Sequence, residues 1–436
     1  MQIDITDPPN ESIIEFEDDF MSNQITVYSY PQQEKFKYKK PTGNDYIPYG
    51  TQWCHDIQTD DILDDKAIAF TKQYEVLRAI VLPEQGTPGW FKMRDEKITA
   101  SDGGTVLDMN HNEQQFKFIL KKTLNPPFQS NIFCHHGKKY EEIATLIYEY
   151  RMNVSTGEFG LIGHPIHTFL GASPDRICNQ YKLDGIHKSK YIGRMLEIKC
   201  PFIRKIKKEG EIIDNICPIY YWVQVQLQLE CCDLDECDFW QCEIREYESR
   251  EEFNNDTNTN EPFKSKTTGF EKGCVIQLLP KDKMNDILAG MYDDTVYADS
   301  KYIYPPKIEM SPYECDIWIA ETIANLNFDA KYNKYFFDKV VYWKLVTSHC
   351  VVINRDREWF AQKLPVFKKM WDYVLFFRED KEKLQLLSDY VDSRERKINK
   401  TIMAIIEKIY DKTNPQYDTI IENIKSDIDV SKIVRD

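Results

Sequence analysis

The sequence has no apolar run long enough to cross a bilayer, so a protein held by a membrane-spanning helix is not expected. The N-terminus lacks the basic-then-apolar layout of a secretory signal. Twelve cysteines are present, yet none falls in a disulfide-framework spacing or a paired C-x-x-C. They are expected to be reduced thiols of an intracellular protein. Cys231, Cys232, Cys237 and Cys242 come nearest to a metal pattern, but their spacing matches no zinc or iron–sulfur site, and Cys242 lies in a strand-like run. Internal repeats are absent. Positive charge is also short: the net charge of -15 excludes indiscriminate nucleic-acid binding. It does not exclude a local basic groove, because whole-chain charge averages over surfaces.

What is present is enough apolar and aromatic sequence for a sizeable core. A chain of 436 residues allows up to about three domains, or one elaborated core. Residues 1–20 hold seven acids and no Lys or Arg, which reads as a solvated acidic arm. Residues 21–60, rich in Tyr, Pro and Gln, read as irregular but packed. Ile62, Ala67, Phe70, Tyr74, Leu77 and Ile80 give a plausible helix between Asp61 and Leu82. Pro83 to Gly89 then breaks the chain. The expected division is an acidic arm and accessory segment over 1–85, a core over 86–377 with a polar surface insertion or disordered loop at 249–269, and a charged helical extension over 378–436.

The chemistry concentrates in Ser173-Pro-Asp175 and Leu196-Glu-Ile-Lys-Cys-Pro-Phe202. Leu196, Ile198 and Cys200 alternate with Glu197 and Lys199, the period of a half-buried strand. Glu197 and Lys199 therefore leave one face, roughly 7 Å apart. An acid and an amine projecting together from an apolar strand are costly unless paired or working. Asp175 would bring a second carboxylate to the same edge. Such a set suits metal-assisted phosphodiester hydrolysis, with carboxylates on Mg²⁺ and the lysine orienting and helping to deprotonate the attacking water.

Outward from that strand, Gly137 to Tyr148 reads as an amphipathic helix with Glu141 on its inner side and Glu142 toward water. Trp90 and Arg94 share a helical face, followed by Thr99, Ser101 and Asp102 as capping side chains and by Gly103-Gly104, where a backbone can approach closely. An Arg beside a helix start with hydroxyls suits a phosphate, and equally an ordinary capped helix. Lys182 to Lys208 carries nine Lys or Arg against two acids, a phosphate-tracking rim or a solvated hairpin tip. His164 and His167 are read as structural or exposed. Pro218 to Glu230 is in conflict: its alternation alone favours a strand, Pro218 and its Gln and Leu residues say helix, and the resemblance set out next moves the reading to helix.

Together, Trp90-x-x-x-Arg94-x-x-x-Ile98-Thr-Ala-Ser101, Gly137-x-x-x-Glu141-x-x-Ala144-x-x-x-Tyr148, Ser173-Pro-Asp175, Leu196 to Phe202 and Tyr221-x-x-Gln224-Val-Gln226 form an ordered set. It resembles the lambda-exonuclease or YqaJ-like viral recombinase branch of the PD-(D/E)xK nucleases, from about Trp90 to Cys242. The resemblance implies an α/β, restriction-endonuclease-like three-layer core with a central mixed sheet flanked by helices, plus N- and C-terminal additions. It implies 5′-to-3′ digestion of linear duplex DNA in viral recombination, repair or replication, with a single-strand-annealing protein as partner. Glu141, Asp175, Glu197 and the Ile198 carbonyl would hold two Mg²⁺ or Mn²⁺ ions, Lys199 would be the catalytic lysine and Gln224 its support. Arg94, Ser101 and Thr99 would hold a 5′-phosphate, helped by Arg204 or Lys205. Glu141 stands where iron–sulfur relatives place a His, which points away from them. Relatives in phages and large DNA viruses imply the host cytoplasm, a viral replication site or the virion. A structure-selective endonuclease and an inactive DNA-end-binding or scaffold protein stay open, as does oligomeric state.

Overall fold

A computed structural model describes residues 59–83, 85–126, 131–290 and 299–433 of the protein. Its strands are β1 (Ile98–Thr99), β2 (Thr156–Gly157), β3 (Ile162–Gly163), β4 (Leu170–Ala172), β5 (Arg176–Cys178), β6 (Met195–Lys199), β7 (Glu236–Glu246), β8 (Lys272–Pro280), β9 (Lys301–Ile303) and β10 (Tyr335–Asn354). The helices used below are α1 (Asp65–Ala79), α2 (Pro88–Asp95), α3 (Gly103–Val106), α4 (Gln115–Leu124), α5 (Ile132–Met152), α6 (Ile219–Cys232) and α7 (Arg250–Asn255). Seven strands form one mixed sheet in the order β2-β5-β6-β7-β10-β8-β9, and β1-β4-β3 form a small second sheet. In the large sheet β6 and β7 are parallel, and the other pairs are antiparallel.

The alternation in β6 sets the layering. Leu196, Ile198 and Cys200 pack with Ile143, Ala144 and Ile147 of α5 and with Trp240 of β7. Met195, on the other face, packs with Trp222, Val223 and Leu227 of α6. The sheet thus has α5 on one side and α6 on the other. Trp240 Nε1 donates to the Ala144 carbonyl at 2.9 Å, so this indole is buried with its polar atom satisfied. Asn131 caps the start of α5, and Asn153 closes its end in the left-handed conformation.

The conflict over 218–230 resolves to helix α6. Parallel β6 and β7 need a crossover connection, which a strand cannot supply. The every-second-residue pattern survives because the helix is enclosed almost all round. Two residues apart is about 200° on a helix, so Gln224 and Gln228 face one way and Gln226 the other. Gln226 Nε2 donates to the Asn354 carbonyl at 2.8 Å. Close packing of α3 on α6 explains Gly104: a Cβ there would lie 2.6 Å from Tyr220 Cβ.

Two expectations about organisation change. Leu77 of α1 is buried in the same apolar cluster as Met195 and Trp222, and Phe70 and Tyr74 pack against it. Gly193, at φ +76, is where Phe70 presses in. The turn at 83–89 therefore separates two elements of one core. Helices Lys381–Asp392, Asn399–Tyr410 and Tyr417–Ile433 likewise bury Leu387, Ile406 and Ile424 in that cluster. Their charged residues are the outer half of helices whose inner half completes the core. The acidic arm and residues 21–58 lie outside the described residues.

The second change is the insertion. Residues 250–270 fold as α7 and an ordered loop around Asp256, with Phe253, Phe263 and Phe270 buried beneath. All the described cysteines are free, and all but Cys134 are buried. Among the described residues no helix is long and apolar enough to cross a membrane.

Candidate active site

Glu197 is fully buried beneath α6. Its Oε1 accepts from Gln224 Nε2 at 2.7 Å and pairs with the Lys199 ammonium; its Oε2 accepts from Gln228 Nε2 at 2.7 Å. The Lys199 ammonium also lies 4.6 Å from the centre of the Tyr221 ring. Tyr221, Gln224 and Gln228 follow three- and four-residue spacing, so one face of α6 serves the pair on β6. Gln228 was missed as a site residue. Its signal was the face it shares with Gln224, and its buried Oε1 has no hydrogen-bond partner among the described residues.

Asp175 reaches β6 at an open edge. The β5 register ends with Arg176 opposite Leu196. Beyond it, the Asp175 carboxylate accepts from the Ile198 N–H at 2.7 Å in place of a neighbouring strand. Backbone N–H and C=O of one strand residue point the same way, so the Ile198 carbonyl faces this edge too. Burial raises the pKa of Asp175 well above its usual range, and the charges of Glu197 and Glu141 add to the rise. Glu141 is also raised, first by the crowding protein and then by Glu197 and Glu142, against the pull of Lys199 and Arg176. Burial would lower Lys199, but Glu197 and Asp175 hold it above its usual value. Four groups taken from α5, β6 and the β4–β5 turn therefore share one electrostatic cleft.

Two details differ from expectation. Glu141 is reached by solvent at the cleft, although protein crowds its carboxyl. Glu142 is only partly exposed and pairs with the Arg176 guanidinium, which also pairs with Glu158. Arg176 thus has partners of its own, and Lys199 is the cation that lies among the cleft acids.

Arg94 stacks on Trp90, 4.6 Å from the ring centre, and its Nη2 donates to Ser101 Oγ at 3.5 Å. Trp90 Nε1 donates to Ser173 Oγ at 3.3 Å, which ties this corner to the turn carrying Asp175. Thr99 is buried; its hydroxyl donates to Asp102 at 2.7 Å beside their capping box and also lies 3.1 Å from Ser101 Oγ. Burial raises Asp102, yet Lys122, Lys121 and that hydroxyl hold it well below the usual range, so it is a structural acid. Arg204 approaches the cleft, with its Nη2 donating to Gln241 at 2.8 Å and its guanidinium 6.0 Å from the Tyr221 ring centre; Lys205 is exposed. The basic segment is only partly a rim. Arg194 pairs with Glu236 at 2.7 Å and Lys182 with Asp61 at 3.0 Å. His164 and His167 lie 4.7 Å apart, tilted, in the β3–β4 turn, and His164 stacks on Phe360 at 5.5 Å.

Carboxylates and a carbonyl are hard oxygen donors of the kind Mg²⁺ or Mn²⁺ takes, and three acids around one lysine leave negative charge for a cation to balance. By donor chemistry the cleft fits such an ion. As they stand, no three His, Cys, Asp or Glu side chains of the described residues converge closely enough to enclose one.

The site is an open-edged strand bearing Glu-x-Lys, with one further acid on a turn and one on a helix, in an α/β protein. Residues 89–235 match the YqaJ-like viral recombinase domain. Over 356 residues the chain is 37% identical to uncharacterized protein R354 of Acanthamoeba polyphaga mimivirus, a match covering 81% of this chain and 64% of that protein. The chain thus spans 64%, less than two-thirds, of the length of this curated relative. An alkaline exonuclease of Laribacter hongkongensis overlaps at a TM-score of 0.34 and 16% identity, covering 67% of this chain and 95% of that one. The same enzyme in complex with dAMP gives 0.34 and 17%, covering 68% of this chain and 100% of that one.

Proposed function

We propose that the protein is a metal-dependent deoxyribonuclease of the PD-(D/E)xK type that digests linear duplex DNA from its ends, 5′ to 3′. The observation that carries this reading is the grouping of Asp175, Glu197 and Lys199 at the open edge of β6, inside a YqaJ-like domain. The α5–sheet–α6 layering supports a restriction-endonuclease-like core. Glu141, Asp175, Glu197 and the Ile198 carbonyl would hold Mg²⁺ or Mn²⁺, in one or two ions. The metal supplies Lewis acidity at the scissile phosphate and a more acidic water. Lys199, kept charged by Glu197 and Asp175, orients the attacking water and balances charge on the phosphate. Gln224 and Gln228 fix the rotamer of Glu197.

Arg94, with Ser101, would take the 5′-phosphate of the DNA end, and Arg204 and Lys205 would follow the backbone. The partners would be duplex DNA ends and a single-strand-annealing protein, at a viral replication site.

The test is digestion, with Mg²⁺, of end-labelled linear duplex with and without a 5′-phosphate, beside closed circles. Label should leave the 5′ end first and circles should survive. Arg94→Ala should abolish the preference for a 5′-phosphate, about tenfold. Cut circles would mean a structure-selective endonuclease, and no hydrolysis at all a DNA-end-binding protein.

A further inference from the structure

Beside the cleft lies a second cavity, of about 220 Å³, that the proposed hydrolysis does not use. Its walls include Ile132, His136 and Lys139 of α5, Phe202 just past the end of β6, Gln277 of β8 and Lys339 of β10. Phe202 is three residues beyond Lys199, and His136 is five residues, about 7.5 Å of helix, before Glu141.

Two buried polar atoms in these walls have no hydrogen-bond partner among the described residues: Gln277 Oε1 and His136 Nε2. Gln277 is 1% exposed, and its amide nitrogen donates to Asp338 at 2.7 Å, so its oxygen is fixed as an acceptor. Leaving such atoms unpaired costs about 1–3 kcal/mol each unless a guest or water satisfies them. The rim is aromatic. The His136 and Phe202 rings lie 5.0 Å apart, and Phe133 follows at 6.0 Å from Phe202. Both phenylalanines are about half exposed, at 54% for Phe133 and 48% for Phe202. At the mouth Lys139 pairs with Glu246 at 2.8 Å, and the exposed Lys339 lies near the same carboxylate.

A small cavity with a fixed acceptor, an imidazole nitrogen, aromatic faces and an exposed lysine has the recognition chemistry of an unpaired nucleobase with its phosphate. We propose that this cavity binds an unpaired nucleobase of DNA. The base would stack on Phe202, give an exocyclic amino proton to Gln277 Oε1 and leave its phosphate to Lys339. Burial and the Lys139 charge push His136 down to about 4, so its imidazole is a neutral partner for a base at neutral pH. The proposal deepens the nuclease reading and rests on it for its substrate: digesting one strand leaves the other unpaired beside β6. The ligand could come from that strand or from a released mononucleotide.

The experiment titrates the full chain in EDTA, where nothing is cut, with a labelled ten-residue oligodeoxyadenylate, with dAMP as competitor, and with blunt duplex. The oligonucleotide should bind, and Phe202→Ala and Lys339→Glu should each weaken it at least tenfold while blunt-duplex affinity stays within twofold. Competition by dAMP at the same affinity per base would identify the mononucleotide as the source; failure of dAMP to compete would identify the strand. Unchanged oligonucleotide affinity in both variants, or no binding by the wild-type protein, would overturn the proposal. Digestion of blunt linear duplex with Mg²⁺ by the same preparations is read separately, and its absence would overturn the nuclease reading instead.

Discussion

Two acid-bearing regions of the molecule are built on opposite principles. In the loop at 250–270, the Asp256 carboxylate accepts from Tyr247, Ser265 and Thr267 hydroxyls and from the Thr267 N–H, at 2.6 to 2.9 Å. Burial raises its pKa, but those donors outweigh it and hold the group at about 2. In the cleft, Asp175 and Glu141 are raised instead, because burial and neighbouring carboxylates act together against ionisation. A structural acid is given every donor it can use. An acid meant to hold something else is left with charge to spare, at a cost in stability.

The largest effect expected from breaking this contrast is on the satisfied side. Asp256→Ala strands several donors at once and should cost about 3 kcal/mol in urea denaturation, with digestion by the folded protein unchanged. The pH dependence follows from the same group. Its folded pKa, about 2, lies below the unfolded value near 4. Its contribution is therefore complete above about pH 5 and is lost as pH falls toward 2. An acid denaturation midpoint that does not move in Asp256→Asn would contradict this.

Next is Gln228→Leu, which leaves one oxygen of the buried Glu197 without its donor. Digestion should fall roughly tenfold to thirtyfold through kcat rather than KM. A rise in KM alone would mean that Gln228 serves binding and not the placement of Glu197.

The smallest effect has the opposite sign. Asp175→Asn removes a like charge and can keep the bond from the Ile198 N–H, so the metal-free protein should gain about 1 kcal/mol. A loss of stability would show that the cleft acids are as well satisfied as Asp256.

Much of this contrast was legible in the sequence on one side only. The alternation around Glu197 and Lys199 placed both on one strand face because β6 lies between two apolar layers, where period two is enforced. In α6 the same period was misleading, since a helix enclosed on nearly all sides imposes no polar face. Helical spacing put Glu141 near the centre but could not reveal that Glu142 pairs with Arg176, a contact 34 residues distant in sequence. The Thr99 hydroxyl was read toward a phosphate; it bonds Asp102 and lies against Ser101, a pairing that spacing alone did not reveal. Around Asp256 the polar composition suggested surface or disorder. The order comes from one carboxylate collecting Ser and Thr donors over buried Phe rings, which composition does not express.

The most direct measurement is digestion of linear duplex DNA with Mg²⁺ by Lys199→Ala and Asp175→Ala proteins whose folding is checked by urea denaturation. Both should lose at least about a thousandfold in rate while remaining folded. Wild-type digestion by both variants would mean that the edge of β6 is not where the chemistry happens.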